Sequence, residues 1–570
     1  MMAPGLAEPG YLRQNQVTLV LLAALVLALS VAPLARLVFE AFAPSGTVSG
    51  LAFERVWNSP AVWRALTNSL ETSVLATILA LIVGTCVALI LALTDIRARN
   101  AFVFVFVMPL IIAPQVMALA WLQISGPASP LLNLLGIAPA IGTKNPLYSR
   151  EGIILLLAVE YTPLVFLTLR AGLRALPREL IEAALASGAS RITVVRTIVL
   201  PLMAPSLVAG TALVFVSCLG NFGIPAFLGI PGNYLTLPTL IYQRLSSLGP
   251  GALSEVAAMS ILIGAIALVG IVVQDAVLRQ RDFRISTTSI PTRPFELGLW
   301  RRPVEIGLWS LTIFVVLMPI LGLLATALVP AYGVPLNAKT ATLSNFFYVI
   351  ADHGASGRAL RNSILLSASA AILITALAVL LGYFLVWRQS KILRVLTIMA
   401  ELPYALPGVV LAIACILLFL KPLPVLGFSI YSTVWILLVA YLARFLVLGL
   451  RPVIAGYQQM DRGIEEAAQV AGARFFRRLL TIVLPVLAPA AAAGAILVFL
   501  TAFNELTLSA LLWSSGAETL GVVVFSFEQG GESGFAAALS ILTILITLSL
   551  ALSTGLFQHK VPQGVLPWRD

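Results

Sequence analysis

The sequence predicts an all-α polytopic membrane protein of about twelve transmembrane helices, arranged as two parallel six-helix repeats. The first observation is composition: 60% of the 570 residues are hydrophobic and 10% are charged, with a mean hydropathy of +1.01, whereas soluble domains are about a quarter charged. The second is a series of long apolar runs separated by polar loops. The third is an internal duplication. Together they exclude a single soluble core.

Six apolar runs precede a polar, basic segment that contains prolines, and six more follow it. The first six lie near residues 17–39, 68–94, 101–123, 152–173, 197–219 and 253–274. The other six lie near residues 306–329, 362–387, 395–420, 430–450, 482–503 and 535–557. We therefore predict a first half over residues 1–278, a cytoplasmic linker over 279–303 and a second half over 304–570.

The distribution of Lys and Arg predicts the orientation of these spans. With the N-terminus inside, cytoplasmic loops carry roughly two positive residues for each one outside, as the positive-inside rule requires. Both termini are then cytoplasmic in a multi-pass protein of a bacterial inner membrane. The net charge of +11 is explained by this topology, and we expect the lipid bilayer and no nucleic acid as a partner.

The duplication is clearest in two polar stretches that match at an offset of 284. The first is LIEAALASGASRITVVRTIVLP from residue 180, and the second is IEEAAQVAGARFFRRLLTIVLP from residue 464. A second echo, RALTNS from residue 64 and RALRNS from residue 358, has an offset of 294. Each half has an even number of spans, so both halves insert in the same direction.

An E-A-A, small residues, G and I-x-L-P pattern between two hydrophobic spans resembles the cytoplasmic coupling loop of binding-protein-dependent ABC importer permeases. The resemblance implies a type I importer-like fold and coupling loops near residues 178–200 and 462–484, each docking into one ATPase subunit. The ATPase-coupling residues it implies are Glu182, Ala183, Ala184, Gly188, Glu466, Ala467, Ala468 and Gly472.

The residue types of the coupling loops suit docking. Small side chains allow close backbone approach, and the helix dipole favours a glutamate in the first turn. Pro201 and Pro485 are expected to kink the chain where it enters the bilayer. The loop arginines are expected to face lipid phosphates or an acidic partner; they are Arg191, Arg196, Arg474, Arg477 and Arg478.

The sequence contains no G-x-x-x-x-G-K-[ST] phosphate-binding loop, the motif that cradles ATP phosphates. We therefore expect a transport subunit without catalysis or cofactors of its own. ATP and Mg would be bound by two copies of a separate ABC ATPase subunit. A periplasmic substrate-binding protein would deliver the substrate.

Charged residues at membrane depth cost about 2.5–3.5 kcal/mol each on insertion scales and mark functional interiors. Glu160, Glu401, Arg444 and Glu505 are the clearest cases. Glu160 and Arg444 are separated by 284 residues, so they occupy pseudo-equivalent depths with opposite charge. A pair between them would seal a resting pore or neutralise two buried charges.

Further pathway candidates lie at breaks in the apolar runs. Asn504 and Glu505 follow the eleventh span, where they line the pathway or cap the outer end of a helix, and Asn221 lies at the corresponding place after the fifth span. Paired prolines, Pro109 with Pro114 and Pro403 with Pro407, predict helix breaks in the third and ninth spans. Such breaks are tolerated at membrane depth where they border a cavity, although kinks that serve packing alone remain an alternative. Tyr404 would then be part of a polar lining.

The substrate is indicated by the run N-E-L-T-L-S-x-L-L-W from Asn504 and the run E-T-L-G-V from Glu518. These resemble the second halves of fused ferric iron permeases, and the chain length agrees. Fused permeases for thiamine, 2-aminoethylphosphonate and phosphorylated sugars are similar, so they stay open as alternatives. An alternative class is an ion-coupled secondary transporter with two six-helix halves, in which the duplicated loops would have no role.

Overall fold

The computed structural model describes residues 9–44, 47–140, 142–174, 176–246, 251–279, 295–388, 391–422 and 427–556. Within these ranges the regular structure is helical, apart from one isolated bridge between Thr94 and Phe295. The predicted all-α class is confirmed. The two chain termini, which we predict to be cytoplasmic, lie outside the described residues. Residues 280–294 of the predicted linker also lie outside them.

The first half contains its membrane spans, a short helix between the fourth and fifth spans, and two short helices after the fifth span. They are α1 (Gln16–Phe42), α2 (Pro60–Leu93), α3 (Arg99–Ile111), α4 (Pro114–Ser125), α5 (Arg150–Arg174), α6 (Arg178–Ala186), α7 (Arg191–Leu202), α8 (Ala204–Gly220), α9 (Gly223–Leu228), α10 (Leu237–Leu245) and α11 (Ala252–Arg279).

The second half repeats this order. Its helices are α12 (Gly298–Ala327), α13 (Gly354–Trp387), α14 (Lys391–Ala405), α15 (Gly408–Phe419), α16 (Val434–Gln459), α17 (Gly463–Val470), α18 (Phe475–Phe503), α19 (Thr507–Leu512), α20 (Leu520–Gln529) and α21 (Ser533–Leu556). Nine described helices are long and apolar enough to cross a membrane, and counting three bent pairs as single spans gives twelve.

Two of the bent pairs lie where the paired prolines predict helix breaks. The chain turns by 100° between α3 and α4, and by 108° between α14 and α15. Pro114 begins α4, and Pro407 directly precedes α15. A proline disfavours helical backbone at the residue before it, which explains why each helix ends where it does. The predicted breaks in the third and ninth spans are confirmed.

The third bent pair is α7 and α8, which meet at 65° around Met203. The equivalent segment of the second half, α18, is one continuous span. The expected kink at Pro201 and Pro485 therefore does not become a break in the second copy. Each of these prolines lies two residues after the end of a π-turn, where the i→i−4 hydrogen bonds are already interrupted.

The two halves exchange contacts around the broken helices. Helix α1 packs against α15 of the other half, and α12 packs against α4. At the second contact Thr326 donates a hydrogen bond to Gln123 at 3.3 Å. A Cβ on Gly322 would lie 2.9 Å from the Cβ of Ile124. The first span of each half thus supports the broken helix of the other half.

Gly449 lies where three helices of the second half approach each other closely. A Cβ at this position would lie 2.5 Å from Ile374 Cγ2, and its carbonyl would lie 3.0 Å from a Cβ built on Gly494. Helices α13, α16 and α18 therefore meet with no room for a side chain.

We expect Gly449→Leu to destabilise the protein by about 1–3 kcal/mol, because overpacking forces neighbouring helices apart. Thermal unfolding in detergent, followed by tryptophan fluorescence, measures the loss. Gly307→Leu is the matched control, because this exposed helical glycine has no atom within 4 Å of its Cβ position. Equal melting temperatures for the two variants would contradict the prediction.

The described end of the predicted linker is attached to the first half just after α2. The amide of Phe295 donates to the carbonyl of Leu93 at 3.0 Å, and the amide of Leu297 donates to Asp95 Oδ1 at 3.0 Å. Arg301 continues the contact with an ion pair to Asp95 at 3.3 Å. The entry into the second half is therefore hydrogen-bonded to the first half as well as covalently joined to it.

Candidate functional site

The two predicted coupling segments form short helices of the same design, α6 and α17. Each is followed by a glycine with positive φ, +84° at Gly188 and +82° at Gly472, a conformation that glycine adopts without steric cost. The amide of Ala189 donates to the carbonyl of Ala184 at 3.0 Å, and the same bond closes the second helix at 3.1 Å. These are Schellman-type caps, so the glycine of the pattern ends each helix.

The residues expected to dock lie mainly on the surface. Glu182, Ala183, Gly188, Glu466, Ala467 and Gly472 are exposed, whereas Ala184 and Ala468 are half-buried. Nothing lies within 4 Å of the Cβ position of either glycine. Glu466 forms an ion pair with Arg462 one turn earlier, at 2.9 Å, and such an exposed pair contributes at most about 1 kcal/mol. Both helices therefore present a small, accessible surface.

Sequence reasoning missed a set of large apolar side chains exposed beside this surface, which we name the apolar row. It consists of Leu180 and Ile192 in the first copy and Ile464, Val470 and Phe476 in the second. Ile192 is 79% exposed and Val470 is 90% exposed. Exposed apolar groups that cluster mark interaction surfaces. The available signal was their offset: 284 residues separate Leu180 from Ile464 and Ile192 from Phe476.

The inward sides of the two coupling loops differ. In the first copy Ile181 and Val194 are buried, with 5% and 0% exposure. The residues 284 positions later are Glu465 and Arg478, whose side chains form a buried ion pair at 2.8 Å. The expectation that Arg478 faces lipid or a partner is therefore wrong, because this side chain is 2% exposed.

Asn221 and Glu505 occupy equivalent positions in the two halves, and the side chain of each accepts hydrogen bonds from backbone amides at the start of a short helix. Asn221 Oδ1 accepts the amide of Ile224 at 3.0 Å at the start of α9. The Glu505 carboxylate accepts the amide of Leu508 at 2.9 Å and that of Ser509 at 3.2 Å at the start of α19. Of the two roles that the sequence left open for Glu505, the structure shows the helix cap, and Asn221 caps the equivalent helix of the first half.

Asn504 joins the two halves at a helix break. Its side-chain amide donates to the carbonyl of Ile111 at 2.8 Å, at the end of α3. Gln115 of α4 donates back to the Asn504 carbonyl at 3.1 Å. On the other side of the pseudo-twofold axis, a Cβ on Gly220 would lie 3.2 Å from Pro407. The end of each half's fifth span therefore contacts the broken helix of the opposite half.

Glu160 and Arg444 do not form the expected pair in the part of the chain that the structure describes. Glu160 Oε2 and Arg444 Nη1 are each buried and have no hydrogen-bond partner there. Arg444 interacts electrostatically with Glu505, and Tyr161 interacts with both Glu160 and Arg444. The offset of 284 residues makes them equivalent positions of the two halves, but equivalence does not bring two side chains into contact.

These groups form one polar layer at the helix breaks, in which Glu160 and Asn221 are buried and the other members are half-buried. Tyr161 accepts a hydrogen bond from Asn221 at 2.8 Å, which links the first-half members to each other. We name this set the polar layer; it comprises Glu160, Tyr161, Asn221, Arg444, Asn504 and Glu505. Among the described residues, no group of three or more His, Cys, Asp and Glu side chains is placed to hold a metal ion.

Glu401 and Tyr404 lie on α14, before the break in the ninth span. Glu401 is exposed and pairs with Arg451 of α16 at 3.5 Å, and Tyr404 is half-buried. No hydrogen bond or ion pair among the described residues links either side chain to the polar layer. The pathway candidates predicted from the sequence therefore fall into two separate groups in the structure.

The RALxNS repeat marks a second pair of equivalent contacts, at the opposite end of the bundle from the coupling helices. Asn68 donates to the carbonyl of Leu235 at 2.9 Å, and Ser69 accepts the amide of Leu237 at 2.7 Å. In the second half, Asn362 donates to the carbonyl of Glu518 at 3.0 Å, and Ser363 accepts the amide of Leu520 at 2.9 Å. The repeat therefore holds the start of α10 and of α20.

Among the described residues, an ion pair accompanies the second of these contacts, between Arg358 and Glu518 at 3.2 Å. Burial raises the pKa of Glu518, but hydrogen bonds from Arg358 and from the Gly516 amide outweigh it and hold this pKa below its ordinary value. A lowered carboxyl pKa contributes stability that is present above the unfolded-state value and is lost as the pH falls through the folded-state value. The contact is therefore formed at neutral pH.

Two six-helix halves with paired broken spans and duplicated, capped coupling helices define a two-domain transport permease. The family model described as binding-protein-dependent transport system inner membrane component matches residues 84–287 and again residues 374–566. The chain belongs to this family, as a fused permease subunit of an ABC importer.

Curated relatives match most of the chain. It is 26% identical over 529 residues to a probable ABC transporter permease protein, y4fN of Sinorhizobium fredii, covering 90% of each chain. It is 24% identical to the ferric transport system permease protein FbpB of Actinobacillus pleuropneumoniae, over 90% of this chain and 73% of that one. It is 30% identical to the molybdenum transport system permease protein ModB of Escherichia coli, over 38% of this chain and 93% of that one.

Proposed function

We propose that this permease moves ferric iron, delivered by a periplasmic substrate-binding protein, across the bacterial inner membrane into the cytoplasm. Two copies of a separate ABC ATPase drive transport by docking at α6 and α17, and ATP and Mg are bound in those subunits. Both chain termini are cytoplasmic in this arrangement. The observation that carries the proposal is the duplicated coupling helix with its glycine cap and exposed small residues.

The docking role rests on the shape and chemistry of the two helices. Each offers alanine and glycine for close approach of a partner backbone, with an exposed glutamate. Glu466 lies in the first turn of α17 as expected, whereas Glu182 lies in the second turn of α6 because that helix begins at Arg178. The apolar row adds side chains whose burial by a partner would stabilise the complex. The gain in free energy is about 25 cal/mol for each Å² of apolar surface removed from water. Because the two copies match in sequence and in capping, two identical partner surfaces fit them.

The substrate proposal rests on the likeness to FbpB over 90% of this chain, together with the N-E-L-T-L-S run of the second half. In the polar layer, carboxylate, phenol and amide oxygens are the hard ligand types that suit a trivalent metal ion in passage. Transient contact during passage requires no resident site. We place the pathway at the polar layer, between the broken helices, with Glu401 and Tyr404 nearer the coupling helices.

A phosphonate or another oxyanion is the second candidate substrate. Arg444 favours it, because a buried guanidinium nitrogen without a hydrogen-bond partner in the described part of the chain would bind an anion strongly. The ModB likeness covers less than half of this chain, so it carries less weight than the FbpB likeness. The two candidates are separated by one uptake experiment.

We expect ATP-dependent uptake of radioactive ferric iron into proteoliposomes that contain the chain, its ATPase and its binding protein. The ATPase is first identified by purifying the tagged chain in mild detergent and testing the complex for ATP hydrolysis. Molybdate and 2-aminoethylphosphonate are tested in parallel. Uptake should require both partners, and an ATPase inactivated in its phosphate-binding loop is the control.

Two results would contradict the proposal at different levels. Uptake of an oxyanion without uptake of iron would overturn the substrate and leave the permease function intact. Transport by the chain alone, driven by an ion gradient and with no associated ATPase, would instead favour the secondary-transporter class.

A further inference from the structure

We propose that Arg478 and Glu465 are positioning residues that fix the second coupling helix rigidly to the transmembrane core, at positions where the first coupling loop has apolar side chains. The inference rests on the proposed coupling function of α6 and α17. Neither residue belongs to the E-A-A and glycine pattern that identifies these loops.

Arg478 holds the second coupling loop at two points. Its Nε donates to Glu465 Oε1, at 2.8 Å, within helix α17. Its Nη1 donates to the carbonyl of Ala473 at 2.6 Å, directly after the glycine cap. One guanidinium on α18 therefore fixes both the coupling helix and the turn that follows it, and the planar group permits few other orientations.

The same carboxylate connects the coupling helix to other spans. The hydroxyl of Tyr383, near the end of α13, donates to Glu465 Oε1 at 3.3 Å. The ring of Tyr383 contacts Phe475 at the start of α18, with ring centroids 5.1 Å apart. Glu465, Arg478 and Tyr383 are all buried. A displacement of α17 would therefore be passed directly to α13 and α18.

Aromatic packing encloses this network on the α13 and α16 side. The ring of Trp387 lies 4.9 Å from the ring of Tyr457 on α16 and 5.7 Å from that of Tyr383. The Tyr457 hydroxyl donates to the carbonyl of Val379 at 2.9 Å. These contacts join α13 to α16 behind the ion pair, which leaves the coupling helix little freedom to rotate.

The first coupling loop has a different attachment. At the positions of Glu465 and Arg478 it has Ile181 and Val194, both buried and apolar. Apolar contact is non-directional, so these two side chains add packing between α6 and the core and no fixed orientation of their own. The second loop is held by hydrogen bonds with defined directions.

Stability alone does not account for the ion pair. Replacing a buried ion pair by well-packed apolar residues is often neutral or stabilising, because both charges must be desolvated. The first copy demonstrates that an apolar pair suits this position. What the ion pair adds is a fixed geometry, and that property is useful where a partner's motion must be transmitted.

The test is the double variant Glu465→Ile/Arg478→Val, which gives the second loop the residues of the first. Transport per ATP hydrolysed is measured with the complete importer, alongside ATPase association. We expect normal insertion and ATPase binding but about a fivefold loss of transport per ATP, within the range that single coupling contacts contribute. Arg477→Val is the matched control for insertion and stability, because it removes the same charge from the exposed neighbouring position. Arg394→Val, at an exposed position of α14 outside the coupling loops, is the control for transport per ATP, which should equal that of wild type.

Tyr383→Phe keeps the inference testable if the double variant does not fold. It removes one hydroxyl from the network, and we expect about a twofold loss of coupling without loss of assembly. Wild-type coupling in the double variant, or in Tyr383→Phe, would overturn the positioning role. Failure of the wild-type chain to bind any ATPase would instead overturn the proposed function, so the two failures are distinguishable.

Discussion

Replacing Val470 with aspartate is expected to weaken ATPase binding at the second coupling helix by at least about tenfold, as expected when a central interface residue is lost. Val470 is 90% exposed at the end of α17, two residues before the glycine cap. An aspartate there would place a charge where the docked partner excludes water, at the negative end of the helix dipole. Titration of the purified ATPase onto the permease in nanodiscs measures the affinity.

Ala186→Val is the matched control for this experiment. Ala186 lies 284 residues before Val470, is exposed and ends α6 in the same way. Giving the first loop the side chain of the second should leave ATPase affinity within about twofold of wild type, as is usual for exposed positions. An unchanged affinity in Val470→Asp would show that this end of α17 is not covered by the partner.

Arg478→Val alone is expected to destabilise the second coupling loop by about 3–5 kcal/mol, because it leaves the carboxylate of Glu465 buried without its charged partner. Hydrogen exchange over residues 463–483 and thermal unfolding in detergent both report the loss. The double variant with Glu465→Ile should regain most of the stability, since neither charge then remains.

The single and double variants of Arg478 together separate stability from coupling. If the single variant is as stable as wild type, the ion pair is not buried in solution as it is in the structure. If the double variant is no more stable than the single one, the cost arises from lost packing rather than from an unpaired charge. Arg477→Val again serves as the control, with no expected change in stability.

Much of the architecture was predictable because its signals are local or periodic. Long apolar runs predicted the spans, and the offset of 284 predicted the equivalence of the coupling helices. Pro114 and Pro407 predicted the broken spans, since a proline restricts the residue before it. The glycines of the E-A-A pattern have a backbone explanation in their positive φ, which the spacing alone did not supply.

The rest depends on contacts between distant segments. Pro201 with Pro205 and Pro485 with Pro489 are equivalent, yet the bend occurs only at Met203, so the proline pattern does not determine it. Glu160 and Arg444 are equivalent in depth but do not meet, because the duplication reports symmetry and not distance. The burial of Arg478 was missed for the same reason, since one arginine among several in a basic loop carries no local sign of its partner.

The unequal coupling loops also bear on why the two halves share one polypeptide. A transporter built from two copies of a single half-chain would contain the Glu465–Arg478 arrangement twice or not at all. In the fused chain each molecule carries the ion pair in one loop and the apolar pair in the other, in a fixed ratio that no error of assembly can alter. A mutation in one loop then changes one docking site and spares the other, so the two sites are free to diverge during evolution.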